Sequence, residues 1–228
     1  MNFEPIAHIR TDFPSKFGIP RQSSLVPSLR ARIVMEPQFR SREAFTALEG
    51  CTHIWLLWVF SETLGRAWSP TVRPPRLGGN RRVGVFATRS PFRPNPIGLS
   101  AVQLQRIEFD PALGPVLHVC GADLMDGTPI LDIKPYLAYA DSIPSARVEY
   151  LSQAGEPQLE VVFCAAAEAE LSAEEKDILC SVLERDPRPS FQDDPDRIYG
   201  MAFRDRNIRF RVAGGVLTVL SASADFSL

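Results

Sequence analysis

Three residue–proline pairs fall within a short stretch of this 228-residue chain: Ser90-Pro91, Arg93-Pro94 and Asn95-Pro96. Each proline fixes its own φ angle, removes a backbone donor and holds the preceding residue in an extended conformation. The stretch therefore cannot be helix or central strand, yet it is stiff. The flanking residues 83–88 and 97–109 are rich in β-branched and aromatic side chains, which predicts strands. The sequence thus predicts two strands joined by a rigid loop.

The rigid loop, residues 88–96, carries polar side chains suited to a ligand. Arg89, Arg93 and Asn95 stand on a frame that loses little entropy on binding. Gly98, just beyond the loop, lets another group approach the strand backbone closely. The plain alternative is a solvated connection between strands, because most surface arginines only face water.

Residues 126–136, Asp-Gly-Thr-Pro-Ile-Leu-Asp-Ile-Lys-Pro-Tyr, form a second distinctive segment. Asp126-Gly127 favours a tight turn, which is also the simplest role for this aspartate. In the extended stretch that follows, side chains at alternate positions are expected on one face, and this places Asp132, Lys134 and Tyr136 together. A carboxylate, an ammonium and a phenol on one face suit an active site, or form a surface ion pair. The alternate side chains are expected to face the core: Leu131 and Ile133.

The first part of the chain reads as mainly β. No G-x-G-x-x-G follows a strand, and strands do not alternate regularly with helices, which excludes a dinucleotide-binding α/β fold. A short helix is predicted over 41–48, with Ser41 as N-cap and Gly50 as left-handed C-terminal residue. Residues 11–26 are expected to be a long loop. The apolar run 53–60 predicts a strand buried on both faces, and further strands are predicted over 3–9, 30–35 and 115–121.

A domain boundary is predicted near residue 143, where Asp141-Ser142-Ile143-Pro144-Ser145 breaks the strand pattern. We expect one domain over 1–143 and a small α+β domain over 144–228. A helix is predicted over 172–185, begun by a Ser172–Glu175 capping box. Strands are predicted over 158–164, 197–203, 207–212 and 215–221, the last two joined by a hairpin turn at residues 213–215.

Charge is unevenly distributed in a chain whose formal net charge is −2. Seven arginines and no acidic residue lie between Arg66 and Arg93. Pro74-Pro75 and Gly78-Gly79 mark this segment as irregular, so its charge is displayed on loops. A basic segment of this kind suits a phosphate-bearing partner. A solubilising patch is the alternative.

Several classes of protein are not expected. No run of about 18 apolar residues occurs, so no membrane span is predicted, and no secretory signal is recognisable. The four cysteines and three histidines are scattered without metal-ligand spacing, so no metal is expected. Reduced, buried thiols in a cytoplasmic protein are the simplest explanation of the cysteines.

The rigid loop and residues 126–136 resemble the central motifs of the tRNA N6-threonylcarbamoyladenosine methyltransferases, β-barrel enzymes that use S-adenosylmethionine. Gly18-Ile19-Pro20-Arg21-Gln22, Asp186-Pro187-Arg188-Pro189 and Tyr199 resemble further positions of that family, so the likeness covers essentially the whole chain. Two long motifs in the same order are a specific signal. The resemblance implies an antiparallel β-barrel with a small α+β appendage, and cofactor binding by loops at the barrel mouth.

The resemblance also implies roles for residues. Arg89 suits the cofactor's carboxylate by bidentate pairing, and Asp132 is the expected base, with Lys134 and Tyr136 orienting or neutralising charge and Asp126 as the competing carboxylate. The family often has a His-Gln pair where this chain has Ser61-Glu62, so contacts there would use the backbone. The other implied cofactor contacts are Pro20, Arg21, Gln22, Leu99, Asp126, Gly127, Thr128, Pro129 and Ile130. The basic segment supplies four expected RNA contacts, Arg73, Arg76, Arg81 and Arg82. The other expected RNA contacts are Arg93, Asn95, Arg188 and Tyr199.

The implied reaction is transfer of a methyl group from S-adenosylmethionine to N6 of threonylcarbamoyladenosine at position 37, beside the anticodon of tRNA. The implied partners are the tRNA anticodon stem-loop and a second copy of the chain in a homodimer. One alternative is a non-catalytic RNA-binding or regulatory module built on the same barrel. Another is methylation of a different small acceptor. Binding of S-adenosylmethionine by the free protein distinguishes the first alternative from the enzyme.

Overall fold

The structure is a computed structural model that describes residues 2–74, 81–152, 158–188 and 194–224. Its first eight strands are β1 (Ala7–Arg10), β2 (Arg30–Met35), β3 (His53–Val59), β4 (Thr71–Val72), β5 (Val83–Gly84), β6 (Ile97–Asp110), β7 (Gly114–Cys120) and β8 (Pro129–Pro135). Six of them close into an antiparallel barrel in the order β1-β2-β7-β6-β3-β8. Strands β4 and β5 pair separately. The antiparallel β-barrel expected from the resemblance is confirmed.

The barrel interior is a packed core. On β3, Ile54, Leu56 and Trp58 are buried and point inward. On the neighbouring β6, Ser100 and Val102 do the same. Six strands enclose less space than the eight-stranded barrels whose interior side chains already fill the lumen. A ligand must therefore bind among the loops at a barrel end or on the outer surface.

Two short helices, α1 (Ala138–Asp141) and α2 (Glu149–Ser152), follow the barrel. The C-terminal unit then contains β9 (Glu160–Phe163), α3 (Ala165–Glu170), α4 (Ala173–Leu183), β10 (Tyr199–Phe203), β11 (Arg206–Ala213) and β12 (Val216–Ser223). Its sheet has the order β10-β11-β12-β9, with β9 parallel to β12. The predicted α+β appendage is confirmed.

Local signals in the C-terminal unit form as predicted. The Ser172–Glu175 capping box is present at the start of α4, where both donors are satisfied reciprocally. Gly214 and Gly215 both have positive φ, 58° and 83°, in the two-residue turn between β11 and β12. This is the backbone geometry that a tight hairpin requires.

The connection between β1 and β2 leaves the barrel and packs into the C-terminal unit. Phe13, Val26 and Leu29 belong to the same buried cluster as the side chains of α4 and β10–β12. Phe13 meets Phe203 edge to face, with ring centroids 5.7 Å apart. The two units therefore share a core, and the domain division at residue 143 stays a prediction.

The predicted helix over 41–48 is wrong. The segment forms two 3-10 turns, Arg42–Phe45 and Leu48–Gly50. The Ser41 hydroxyl donates to Glu43 at 2.6 Å instead of capping the backbone. The left-handed residue is Ala47, with φ of 67°, whereas Gly50 has no positive φ.

The predicted strand over 83–88 ends after Gly84 and continues as a 3-10 turn, Val85–Ala87. Thr88 closes this turn, because its hydroxyl and its backbone N–H both donate to the Val85 carbonyl. Strand β3 is buried on one face only, rather than on both faces as predicted. The side chains on its other face are half-buried: Trp55, Leu57 and Val59. The first strand begins at Ala7 rather than at residue 3.

Candidate functional site

A cavity of about 500 Å³ lies at the barrel end where β3 finishes and β6 begins. Five chain segments meet there: residues 16–22, the end of β3 and its following turn, the rigid loop, the start of β6, and residues 123–128. Its volume is typical of small-molecule sites. Its apolar lining is Ile19, Trp58, Val59, Phe60, Phe92, Ile97, Leu99 and Met125, and its charged lining is Lys16, Arg21, Glu62, Arg66, Arg89, Arg93 and Asp123.

The rigid loop is braced from inside. The Arg93 guanidinium donates to the carbonyls of Thr88 and Ser90, at 2.9 and 3.4 Å, and spans the loop. The loop is fastened to the end of β3 by a hydrogen bond from the Phe60 N–H to the Pro96 carbonyl at 2.9 Å. The stiffness expected from its prolines is thus reinforced by its own arginine.

Arg89 stands at the cavity with its guanidinium held by a second loop. Its Nη1 donates to Oε1 of Gln22. The neighbouring Arg21 donates through Nη2 to the carbonyls of Asp186 and Arg188, at 3.1 and 3.4 Å. The C-terminal unit therefore holds the segment that positions Arg89.

Asp123 is held at the cavity by a directional chain of hydrogen bonds. The Trp58 indole N–H donates to the Ser100 hydroxyl at 3.0 Å, and that hydroxyl donates to Asp123 Oδ1 at 2.5 Å. Burial raises the pKa of the Asp123 carboxyl, while the Ser100 hydroxyl, backbone N–H groups and the Arg89 charge oppose that rise. Gly98 makes room for the Trp58 indole, because a Cβ there would lie 2.2 Å from Cε2. The close approach expected at Gly98 is confirmed.

Eight of the predicted cofactor contacts line the cavity: Pro20, Arg21, Gln22, Ser61, Glu62, Arg89, Leu99 and Thr128. Asp126, Gly127, Pro129 and Ile130 do not. Asp126 accepts hydrogen bonds from the Thr11 N–H at 3.0 Å and from Arg10 at 3.4 Å, which tie the Asp126–Gly127 turn to the end of β1. Gly127 in this turn has φ of 75°. Ile130 is fully buried in the barrel core.

Asp132, Lys134 and Tyr136 lie near one another but outside the cavity lining. Lys134 pairs with Asp132 at 2.7 Å on the barrel exterior, and Tyr136 packs against Trp55. The register shifts between β3 and β8 so that Leu131 is an extra residue. This shift explains why Ile130 enters the core. The prediction that Leu131 faces the core is therefore wrong.

The structure places the predicted RNA contacts in different surroundings. Arg73, Arg81 and Arg82 are exposed beside β4 and β5, Asn95 is exposed on the rigid loop, and Arg76 lies outside the described residues. Arg93 lines the cavity. Arg188 and Tyr199 are not on the surface: the Arg188 side chain is 10 % exposed and pairs with Asp186, and Tyr199 is buried. A direct contact of these two with RNA has no support in this geometry.

Sequence reasoning missed Asp123, Trp58, Phe60, Phe92 and Met125 as cavity residues. The aromatic residues of β3 read as core, and Trp58 is both core and cavity wall. Asp123 had one local signal, its position between the buried Ala122 and Leu124, which turns it away from the core. Nothing in the sequence places Ser100 and Arg89 around it.

Within the described residues, no group of three or more His, Cys, Asp or Glu side chains could hold a metal ion. In the same ranges, no helix has the length and apolar character needed to cross a bilayer.

The fold and the cavity define a class: a β-barrel protein that binds a small ligand among loops at one end, with cationic, aromatic and carboxylate groups in the wall. The first family match, to the tRNA-methyltransferase O N-terminal domain, covers residues 8–142. The second, to the TrmO C-terminal domain, covers residues 156–225. The chain belongs to the TrmO family.

Curated relatives and solved structures agree with this family. The chain is 41 % identical over 218 residues to a tRNA (adenine(37)-N6)-methyltransferase of Escherichia coli K12, covering 92 % of each chain. It is 40 % identical over 214 residues to the Pseudomonas aeruginosa protein RcsF, and the match covers 90 % of each chain. RcsF carries the provisional name of an S-adenosylmethionine-dependent methyltransferase. A crystal structure of TrmO from Pseudomonas aeruginosa matches with a TM-score of 0.78 and 32 % identity, covering 98 % of both chains.

Proposed function

We propose that this chain transfers the methyl group of S-adenosylmethionine to N6 of threonylcarbamoyladenosine at position 37 of tRNA. The observation that carries the proposal is the cavity at the barrel end, which is lined by residues from both matching motifs in a chain similar throughout to a tRNA (adenine(37)-N6)-methyltransferase. Because the cavity also joins apolar walls to fixed charges, a non-catalytic RNA module is the weaker explanation.

The residues present fit the cofactor. Arg89, held by Gln22, offers a guanidinium to a carboxylate. Trp58, Phe60 and Phe92 offer aromatic surface to a purine. When bound, S-adenosylmethionine supplies an electrophilic methyl group on a sulfonium. The role of the chain's own residues is then to orient the two reactants and exclude water.

The N6 nitrogen of the acceptor shares its lone pair with the purine and with the carbamoyl group, so it must lose a proton to react. We keep Asp132 as the proposed base. Leu99 on β6 pairs with Leu57 on β3, which pairs with Asp132 on β8, so these residues form one lateral row on the outer face. Leu99 lines the cavity, and two strand spacings put Asp132 roughly 10 Å from it. Lys134 pairs with this carboxylate at 2.7 Å.

The anticodon stem-loop is the proposed RNA partner. Arg73, Arg81 and Arg82 are exposed, and they can meet phosphates while Arg93 and Asn95 face the acceptor nucleotide. Arg188 and Tyr199 act indirectly in this scheme: the Arg188 carbonyl holds Arg21, which belongs to the cavity wall.

The active form is proposed to be a homodimer in the cytoplasm. Phe92, Ile97 and Leu99 at the cavity rim are 41–47 % exposed, and Phe86 nearby on the chain is 76 % exposed. Apolar side chains of this kind suit a two-fold contact. Phe86 does not line the cavity, so Phe86→Glu should shift the mass measured by light scattering toward the monomer and leave cofactor binding unchanged. The four free cysteines suit a reducing compartment.

Mass spectrometry of tRNA nucleosides tests the reaction. Purified protein, S-adenosylmethionine and tRNA carrying threonylcarbamoyladenosine should give a nucleoside heavier by one methyl group. Asp132→Asn should lower the rate by about 10²–10⁴-fold if the carboxylate removes the proton. Methylation of unmodified tRNA alone would indicate a different acceptor. Calorimetry without heat from S-adenosylmethionine would contradict the enzyme and favour the RNA module.

A further inference from the structure

One carboxylate in the cavity wall has no role in the function proposed above. Asp123 lines the cavity, and its Oδ1 accepts a hydrogen bond from Ser100. An indole N–H can only donate, so the Ser100 hydroxyl must accept from Trp58 and give its single proton to Asp123. The chain of donors therefore holds Asp123 as an acceptor and fixes its orientation.

The carboxylate lacks a cationic partner in direct contact. In the part of the chain that the structure describes, no basic side chain pairs with Asp123, although the Arg89 charge acts on it. Removing a carboxylate from water is costly unless hydrogen bonds or a cation compensate. Ser100 and the backbone N–H groups of Ser23 and Asp123 give the carboxylate hydrogen bonds but no full positive charge, so it suits a ligand that brings a cation with a further donor.

The two charged groups match an amino-acid end. An α-amino acid carries its carboxylate and its ammonium on one carbon, and Arg89 and Asp123 offer a guanidinium and a carboxylate in one cavity wall. We propose that Asp123 binds the α-ammonium group of the cofactor's amino-acid end while Arg89 receives its carboxylate. This inference rests on the proposed binding of S-adenosylmethionine in this cavity.

The sulfonium is the other cation that a carboxylate could face. A sulfonium carries no N–H or O–H donor, so it could not add to the hydrogen bonds that Ser100 and the backbone N–H groups give the carboxylate. An ammonium offers three donors and a full charge, and it can donate to an acceptor position of the carboxylate that Ser100 and the backbone leave open. The hydrogen-bonding requirement of Asp123 therefore favours the ammonium.

Calorimetry with three ligands tests the assignment. S-adenosylhomocysteine keeps the amino-acid end and lacks the sulfonium charge, and 5′-methylthioadenosine lacks the amino-acid end. Asp123→Asn should weaken S-adenosylmethionine and S-adenosylhomocysteine by the same factor, roughly 10- to 100-fold for a charge-assisted hydrogen bond. Binding of 5′-methylthioadenosine should not change. Asp110→Asn, at the last residue of β6 beside the turn to β7, is the matched control and should change none of the three.

Three results would overturn the inference. Loss confined to S-adenosylmethionine would place Asp123 against the sulfonium, and equal loss for all three ligands would indicate a damaged cavity. Unchanged binding with a slower reaction would make Asp123 a base. If the wild-type protein binds none of the ligands, the proposed function fails instead. Ser100→Ala serves as a second variant, because it keeps the charge and removes the orienting hydroxyl. It should cost S-adenosylhomocysteine several-fold more affinity than 5′-methylthioadenosine, which reports any disturbance of Trp58.

Discussion

Gly98→Ala tests whether the packing of Trp58, on β3, against Gly98, on β6, supports both the fold and the cavity. A Cβ at position 98 would lie 2.2, 2.4 and 2.5 Å from Cε2, Cζ2 and Cδ2 of the indole. Because the obstacle is a rigid ring that is only 7 % exposed, the indole or the strand must move. Overpacking a core costs about 1–3 kcal/mol. Losing the Trp58–Ser100 hydrogen bond costs about 0.5–1.5 kcal/mol more. The expected loss of unfolding free energy is therefore about 1.5–4.5 kcal/mol.

Urea unfolding monitored by fluorescence measures this loss. Gly84→Ala is the matched control, because nothing lies within 4 Å of a Cβ built there and its φ of −60° suits alanine. The Gly98 variant should also bind S-adenosylmethionine more weakly, since Trp58 is part of the cavity wall. Equal stability of the two variants would show that the indole has room to move, and the packing argument would be refuted.

Three further predictions follow from the charged groups. Arg89→Ala should lose about 1.5–3 kcal/mol of binding free energy for S-adenosylmethionine in calorimetry. Arg89→Lys should recover only part of that loss, because lysine lacks the planar fork of the guanidinium. Full affinity in the alanine variant would refute the carboxylate contact. Neutralising Arg73, Arg81 and Arg82 together should weaken tRNA binding and make its affinity less dependent on salt concentration, while cofactor affinity stays constant. If the affinity falls with salt as steeply as in the wild type, the three arginines form only a solubilising patch. Because burial raises the folded-state pKa of Asp123, its contribution to stability is present below the unfolded-state pKa and is lost as pH rises through the folded-state pKa. In thermal unfolding, Asp123→Asn should therefore gain stability relative to wild type as pH rises above the ordinary pKa of an aspartate, ~3.9. An identical pH profile of the two proteins would contradict the buried site.

The shared core between the two units has a consequence for the cavity. Residues 16–22 supply Gln22 to Arg89, and the flanking Phe13, Val26 and Leu29 pack in the C-terminal unit. Arg21 is held by carbonyls of residues 186 and 188. The small C-terminal unit thus supports one wall of the cavity, which gives it a function within its own chain.

The sequence alone determined the features that depend on neighbouring residues. The prolines predicted a stiff loop after β5, Asp126-Gly127 predicted a turn, and Ser172–Glu175 predicted the start of α4, because φ restriction, positive φ and capping act within a few residues. The two long motifs also carried the family resemblance, which the matches over residues 8–142 and 156–225 confirm.

Tertiary structure decided what depends on strand pairing. The register shift that makes Leu131 an extra residue and puts Ile130 in the core arises where β8 meets β3, and no local pattern shows it. Asp123 became a cavity residue because barrel closure brings Ser100 and Arg89 to it from distant segments. The alternation of side chains along a strand assigns each one to one of two faces. Barrel closure and strand register decide what each face contacts.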